Sequence, residues 1–275
     1  MPFKQFIKGL FNINNGPVMP VKPVKESPKK SMKIMVLTTG SEEKSARRLG
    51  FETATYWPFG KNPNEYIVIR AGNGYERAPI KDLIFAETND FDRVINTQDS
   101  IILNVNKPKA LKVLASVVNT PKVYNGIVPK GKYAVVRPKS HAGGAGFQLI
   151  KGPYAIPDGH YATEFVRTEK EIRIFCCGSK TITCSREKGK KTDSDICRSN
   201  WKYVRFRRSQ KHLHKAALKA SKALNLPICA FDILIKGRKH YFLEGNSCPT
   251  FENKATLFYK KNIPILVKKM FGKSG

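Results

Sequence analysis

Acidic residues are scarce in this sequence. Its 275 residues include 50 Lys or Arg but only 21 Asp or Glu, which gives a formal net charge of +29 at pH 7. This imbalance predicts an anionic partner, such as a nucleotide, a nucleic acid, an acidic peptide or an anionic membrane; the alternative is a surface charged for solubility. The hydrophobic fraction of 41% is sufficient for a core, in one large domain or two to three small ones.

Several other features are missing. The six cysteines form no C-x-x-C pair and no second pair at zinc spacing, which argues against a structural zinc site. Most of them lie in apolar runs, so we expect reduced thiols and a cytoplasmic protein. No apolar run is long enough to span a bilayer, and the N-terminus lacks the apolar core of a signal peptide. The histidines show no metal-ligand spacing.

The first hundred residues divide into a tail and a small domain. Residues 1–31 are rich in Pro and Lys and are predicted to be a flexible basic tail, with a short amphipathic helix at its start as the alternative. Residues 32–106 contain apolar strand patterns at Lys33–Leu37 and Tyr66–Ile69, separated by a helical pattern over Ser41–Leu49. Strand, helix and strand in succession predict a short α/β domain.

The sequence of residues 232–246 predicts a β-hairpin whose strands are mostly apolar but carry oxygen-bearing side chains on one face. Two apolar runs flank a Lys-Gly-Arg-Lys tetrapeptide at 236–239, which is typical of a tight turn. A turn centred on this tetrapeptide sets Asp232 almost opposite Glu244, with Asn246 further along the same face.

These two acids stand out because carboxylates are rare around them. From Trp201 to the C-terminus the chain has seventeen Lys or Arg and three acids. Two carboxylates about 4 Å apart repel each other by roughly 4 kcal/mol at an effective dielectric of 20, so one takes up a proton or a cation lies between them. Oxygen ligands suit Mg²⁺ shared with phosphate. The alternative is a pair of rim carboxylates neutralised by neighbouring Lys and Arg, and the hairpin alone leaves both open.

A glycine-rich segment predicts a second hairpin. The strand Tyr133–Arg137 leads into PKSHAGGAG, which ends at Gly146, and the strand Phe147–Ile150 follows. The backbone amides of such a glycine-rich tip can close over phosphates. The alternative is that the glycines serve only the geometry of the turn.

The remaining patterns complete the order of elements. Helices are predicted over Lys107–Val118 and Ser209–Asn225, and one or two short helices after Glu252, with Pro264 in a first turn. Strands are predicted over Tyr161–Arg167, Glu171–Cys177 and Lys180–Ser185. A basic segment, 186–208, interleaves arginines with aromatic residues, so a nucleic-acid patch is its alternative interpretation.

The order of these parts resembles the ATP-grasp superfamily, above all its branch of peptide ligases that add glutamate tails to ribosomal proteins. The likeness runs from about Val105 to Glu252. It implies an α+β fold with two subdomains that grip ATP: residues 107–166, with the glycine-rich loop, and residues 167–275, with the metal site. The short α/β domain of residues 32–106 precedes them.

The resemblance assigns metal and catalytic roles. EGNSCPTFE resembles the family's E-x-N-x-x-P-x-x-E segment and FDIL resembles its Asp-bearing strand, which implies that Asp232, Glu244 and Asn246 bind two Mg²⁺ ions. CRSN resembles an R-x-N element and EIRIFCCG an acid-x-Arg strand. These imply that Arg198 faces the γ-phosphate and that Arg173 lies near an acyl-phosphate, as the catalytic residues.

The same likeness assigns ATP contacts. TEFV resembles the interdomain linker that binds adenine through its backbone. The family's usual Lys-Pro is Arg137-Pro138 here, so whether Arg137 or Lys139 replaces that lysine stays open. The implied ATP-binding residues are Lys107, Arg137, Lys139, Gly143, Gly144, Gly146, Glu164, Phe165, Val166, Glu169 and Arg186.

The function that the resemblance implies is an ATP-dependent carboxylate–amine ligase that works through an acyl-phosphate and releases ADP and phosphate. Two alternatives are a non-catalytic grasp-like protein that binds nucleic acid or other anions, and an ATP-dependent kinase of small molecules. The expected partners are a carboxylate and an amine substrate. The basic surface favours an acidic peptide or protein tail over nucleic acid.

Overall fold

The computed structural model describes residues 32–38, 40–55, 57–71, 91–139, 146–168, 170–187, 202–207, 211–249, 251 and 253–272. Residues 32–275 form one compact unit. No helix in these ranges is long and apolar enough to cross a membrane. The sequence-predicted tail, residues 1–31, lies outside the described residues.

A parallel sheet opens the described chain. Its order is β2-β1-β3-β4, with strands β1 (Lys33–Leu37), β2 (Glu52–Ala54), β3 (Tyr66–Arg70) and β4 (Val94–Ile95). Helix α1 (Gly40–Arg47) joins β1 to β2, and a 3₁₀ turn (Pro63–Glu65) precedes β3. Every residue of β3 is buried, as expected for a parallel strand covered on both faces. The predicted strand–helix–strand order is confirmed.

Two helices and a second sheet follow. Helix α2 (Gln98–Val105) is capped by Thr97, whose side chain accepts from the Ser100 amide, and α3 (Lys107–Ala115) begins at the predicted lysine but ends three residues before Val118. The second sheet has the order β5-β10-β7-β8 and is antiparallel, with a separate pair formed by β6 and β9. The strands are β5 (Val123–Tyr124), β6 (Ile127–Val128), β7 (Tyr133–Pro138), β8 (Gln148–Lys151), β9 (Tyr154–Ala155) and β10 (His160–Glu164).

The largest sheet is antiparallel and has a helix on each face. Its order is β13-β12-β11-β14-β15. Helix α4 (Lys211–Ala223) packs on the face that carries Ile174 and Phe231, whereas α5 (Asn253–Phe271) packs on the opposite face. The strands are β11 (Lys170–Cys177), β12 (Lys180–Glu187), β13 (Lys202–Arg207), β14 (Ile228–Lys236) and β15 (Lys239–Asn246).

The C-terminal helix corrects one sequence expectation. Helix α5 is continuous, where the sequence predicted short helices with Pro264 in a first turn. Pro264 lies inside the helix and removes one backbone hydrogen bond there. Tyr259, Ile263 and Leu266 are buried against the large sheet, and this packing holds the helix together through the proline.

One buried asparagine joins the parallel sheet to the large sheet. Asn96 follows β4 with a positive φ of 61°. Its Nδ2 donates to the carbonyls of Arg70 (3.3 Å), Ile228 (2.8 Å) and Ser247 (3.1 Å), and its Oδ1 accepts from the Ile228 amide (3.2 Å). Ile228 begins β14 and Ser247 follows β15, so this side chain ties together the open end of that hairpin.

Replacing Asn96 with alanine therefore should destabilise the fold. We expect Asn96→Ala to lower the free energy of unfolding by about 2 kcal/mol or more, because buried backbone groups lose their partner. Urea unfolding measures the change. The exposed Asn119 provides the matched control, and equal losses in Asn119→Ala and Asn96→Ala would contradict the role of this network.

Candidate active site

A β-bulge places Glu244 opposite Asp232. From the Gly237–Arg238 turn, β14 and β15 pair regularly up to Ile233 and Phe242, but Asp232 then pairs with Glu244. Leu243 is therefore the extra residue of the bulge. In a regular ladder Asp232 would face Leu243, and Glu244 would lie opposite Phe231 on the other face of the sheet. The sequence-based expectation of near-opposite acids is confirmed, although the bulge that produces it was not anticipated.

Arg173 binds Asp232 directly. The two residues are paired across β11 and β14, and the guanidinium donates from Nε to Oδ1 (2.5 Å) and from Nη2 to Oδ2 (2.6 Å). Asn246 approaches the same carboxylate, with its Nδ2 3.5 Å from Oδ2. Both side chains of the pair are largely buried, 11% and 6% exposed. The guanidinium and the carboxylate thus form a bidentate, charge-assisted pair.

Lys107 contacts the same hairpin from the first position of α3. Its Nζ lies 3.2 Å from the Gly245 carbonyl and 3.9 Å from Glu244 Oε2. Asn106 fixes the start of the helix by accepting from the Lys109 amide. The lysine side chain is only 11% exposed. One ammonium group is thereby held beside Glu244, whereas the sequence predicted Lys107 only as an ATP contact.

Arg137 occupies an aromatic pocket in the second sheet. Its Nη2 donates to Thr163 Oγ1 (3.1 Å), and its guanidinium lies 5.0 Å from the Phe147 ring centre and 5.8 Å from that of Tyr161. The residue is 7% exposed, yet its Nε has no hydrogen-bond partner among the described residues. A buried cationic donor without a partner is expensive, so this side chain suits an anion.

The Tyr161 phenol links the two sheets electrostatically. Burial raises the pKa of Tyr161 above its usual value; the positive charge of Arg137 partly offsets this rise, and the negative charge of Glu244 adds to it. Arg137 and Glu244 therefore act on one common group. Both charged residues therefore lie within electrostatic range of this phenol.

Two of the three amides of the predicted adenine linker are already hydrogen-bonded. The Glu164 amide donates to the Lys122 carbonyl (2.7 Å) and the Phe165 amide to the Tyr133 carbonyl (3.0 Å). Among the described residues, no acceptor engages the amide of Val166, which is the third residue of this segment. The backbone at 164–166 thus has a donor for a nucleobase at Val166, whereas the other two amides are already used.

The other predicted residues are placed less completely. Gly146 has a positive φ of 73°, and a Cβ there would lie 3.0 Å from the Pro138 ring, so this position favours glycine. Lys139 is exposed beside it. The backbone of Arg186 pairs with Glu171 in β12 and β11. Four predicted residues lie outside the described part of the chain: Gly143, Gly144, Glu169 and Arg198.

The residues fit a magnesium–nucleotide ligand by their chemistry. Asp232, Glu244 and Asn246 offer only hard oxygen donors for a metal, which is the set that Mg²⁺ prefers. Among the described residues, no group of three His, Cys, Asp or Glu is close enough to hold a metal alone. A metal here would thus share its shell with the amide oxygen of Asn246 and with phosphate. Lys107 and the unpartnered Arg137 donor suit the phosphate itself.

Sequence reasoning missed the residues that orient Arg137. Tyr161 and Thr163 share one face of β10, and Tyr161 pairs with Arg137 across β7 and β10. This alternation was available in the sequence HYATE. Phe147, directly after the glycine loop, was predicted only as the start of a strand. The sequence does not show which strands pair or in which register, because that depends on long-range contacts. Without the β7–β10 register, these residues could not be assigned to Arg137.

The fold is shared with solved structures, although no protein-family model and no curated protein sequence matches the chain. D-alanine–D-alanine ligase from Bacillus anthracis is 15% identical, with a TM-score of 0.54 over 86% of this chain and 96% of that one. ATP-grasp ligase PsnB with its minimal precursor is 12% identical, with a TM-score of 0.60 over 86% and 99%. Macrocyclase MdnC bound to precursor peptide MdnA from Microcystis aeruginosa is 12% identical, with a TM-score of 0.57 over 85% and 100%.

Two of these proteins have also been solved with nucleotide. The Bacillus anthracis ligase was determined with ATP, and PsnB with Mg and ADP. The likenesses span nearly the whole length of each protein, and at such low identities they bear on the fold. This chain, with its two antiparallel sheets around the described site, has the ATP-grasp fold.

Proposed function

We propose that the protein is an ATP-dependent carboxylate–amine ligase. One observation carries the proposal: the bulge at Leu243 sets Glu244 opposite Asp232, and Lys107 and Arg173 flank the two acids. An acid pair held by cations in an ATP-grasp fold suits a metal-bound triphosphate better than a rim ion pair. The ligases that share the fold bind ATP, or ADP with Mg.

The nucleotide would lie between the second sheet and the hairpin. Lys107 and Arg137 would bind its phosphates, assisted by Lys139, Arg186 and Arg198. The backbone at 164–166 would hold the adenine, and Glu169 the ribose. The loop that contains Gly143, Gly144 and Gly146 would cover the phosphates and exclude water.

Asp232, Glu244 and Asn246 would hold two Mg²⁺ ions. Bound there, the metal would neutralise charge on the β- and γ-phosphates. Arg173 stays beside Asp232 and fixes the orientation of that carboxylate through two hydrogen bonds. Arg173 would also lie near the acyl-phosphate, and Arg198 would face the γ-phosphate, where their positive charges would stabilise the transferring phosphoryl group.

The proposed reaction has two steps. The substrate carboxylate attacks the γ-phosphorus and the bond to the β-phosphate oxygen breaks, which gives an acyl-phosphate and ADP. An amine then attacks the acyl carbon, loses a proton and expels inorganic phosphate, which leaves an amide. Positioning and charge neutralisation, which the described residues supply, are the main requirements of such transfers.

Peptides are the substrate class that we propose. PsnB and MdnC were both solved with precursor peptides. The net charge of +29 favours a carboxylate on an acidic peptide or protein tail. We also propose a cytosolic location, supported by five free cysteines, all buried, in the described part of the chain.

One contact favours a second candidate. Arg173 holds both oxygens of Asp232, as in a structural ion pair that needs no metal. This favours a grasp-like protein that binds anions without catalysis. A kinase that transfers phosphate to a small acceptor uses the same nucleotide site and differs only in its acceptor.

An ADP-release assay separates these functions. Purified protein is incubated with ATP and Mg²⁺, alone and with panels of amino acids and acidic peptides, and hydroxylamine is added in parallel. Release of ADP together with hydroxamate supports the ligase, because hydroxylamine traps an acyl-phosphate. ADP release with a phosphorylated product and no hydroxamate indicates the kinase. Absence of ATP binding at millimolar Mg²⁺ rejects both enzymes.

Glu244 provides the sharpest test of the metal site. We expect Glu244→Gln to lower kcat by at least about 100-fold, since the amide keeps the shape but loses the charge that binds metal. Thermal unfolding should stay near that of the wild type. Glu43→Gln, which alters an exposed helix pair with Arg47, is the control. A fully active Glu244→Gln enzyme would show that the metal assignment is wrong.

Arg137 tests which cation replaces the family's usual lysine. We expect Arg137→Met to raise the KM for ATP by about 10-fold or more, because it removes a buried, charge-assisted donor worth about 1.5–3 kcal/mol. Arg137→Lys keeps the charge and should recover part of the loss. Steady-state kinetics with varied ATP measure both. An unchanged KM in Arg137→Met, combined with a raised KM in Lys139→Met, would assign the role to Lys139.

A further inference from the structure

A continuous row of lysines covers the outer face of helix α4. Lys211, Lys215, Lys219 and Lys222 are all exposed, and at about 100° per residue they fall within a sector about 80° wide. The row is about 16 Å long, since each residue rises about 1.5 Å. The helix contains no acidic residue, so no carboxylate on it relieves the repulsion between the ammonium groups.

The opposite face of α4 fixes the direction of this row. Leu213, Ala217 and Ala220 are buried in the core on one side of the large sheet. His214 contacts the hydroxyls of Thr181 and Thr183 on β12. The helix cannot rotate without breaking these contacts, so the lysine row is held toward solvent.

The tip of the β14–β15 hairpin extends the row at its N-terminal end. The rings of His212 and His240 lie 5.6 Å apart between centroids, which places the tip beside the first turn of α4. The tip contributes three more exposed basic residues: Lys236, Arg238 and Lys239. Between 211 and 246 the chain carries seven Lys or Arg and two acids, and both acids belong to the candidate active site.

We propose that this row and the hairpin tip form a docking surface for the phosphate backbone of nucleic acid. Point charges spaced about 6 Å apart along a helix suit a regular polyanion, and phosphate contacts need no pocket. Binding of a peptide usually uses apolar pockets or an open strand edge. In the described part of the chain, the exposed large hydrophobic side chains all lie outside α4 and the hairpin tip.

The surface is separate from the candidate active site. Asp232 and Arg173 belong to the α5 face of the large sheet, because they alternate along their strands with Phe231 and Ile174, which pack under α4. A nucleic acid on the lysine row therefore leaves the nucleotide site open. The docking proposal stands whether or not the ligase activity is found.

Salt-dependent binding tests the surface. Fluorescein-labelled single-stranded and duplex 25-mers are titrated with the full chain between 50 and 200 mM salt, and the affinity is measured by anisotropy. The test variant changes Lys211, Lys215, Lys219 and Lys222 to glutamine, which keeps the stems and the helix propensity. The control variant changes four exposed lysines of α5, Lys254, Lys261, Lys268 and Lys269, and so removes the same net charge.

We expect the α4 variant to lose at least 10-fold in affinity at 100 mM salt and to lower the magnitude of the log–log salt slope on duplex by about 3 to 4. The α5 variant should change both much less. Equal losses in the two variants would show that net charge alone acts, and absence of binding by the wild type would overturn the proposal.

A labelled polyglutamate peptide is the competing ligand. If the protein binds this peptide more tightly than nucleic acid, and the α4 variant loses that binding too, the surface is assigned to an acidic protein instead. Circular dichroism of each variant verifies that the helices are retained.

Discussion

The extra residue in β15 is the constraint on which the candidate site depends. Side chains alternate across a strand, so one inserted residue moves every following side chain to the other face. Leu243 is that residue, and it brings Glu244 to the face of Asp232 while Phe242 stays buried against Phe231. The hairpin thus contributes to the apolar core near its turn and to a polar site beyond the bulge. Without the bulge, a carboxylate would point into the core beneath α4.

The hairpin is fixed on both sides of the bulge. At the turn, Gly237 adopts a φ of 58°, which favours glycine. At the open end, Asn96 binds the backbone of Ile228 and Ser247. Between the two, Gly245 leaves no room for a side chain, because a Cβ there would lie 2.9 Å from Asn104 Oδ1. In the regular register Glu244 would occupy this crowded position, so the packing favours the register that keeps the two acids opposite each other.

Sequence reasoning predicted the local elements better than the contacts between them. The turn at 236–239 and the parallel strands β1 and β3 follow from glycine placement and apolar runs, which are local signals. The bulge at Leu243 has no such local signal. The same run of residues could pair with β14 with or without an extra residue, so the sequence alone does not reveal the bulge. The continuity of α5 through Pro264 also needed tertiary information, because buried neighbours such as Tyr259 and Ile263 decide it. Of the candidate site, the residue types were predicted, but the pairing of Arg173 with Asp232 and the pocket around Arg137 required the strand registers.

The distribution of charge explains why two acids persist in so basic a chain. Each has its own cation: Arg173 binds Asp232, and Lys107 lies beside Glu244. These cations come from different elements, a strand of the large sheet and the first turn of α3, so the acid pair draws α3 onto the hairpin. Arg137 differs, because its buried Nε has no partner among the described residues and its neighbours are neutral, namely the Thr163 hydroxyl and two aromatic rings. The hairpin side of the site is thus already neutralised, whereas the second-sheet side holds an unmatched positive charge. That asymmetry suits an anionic ligand whose negative charge meets Arg137.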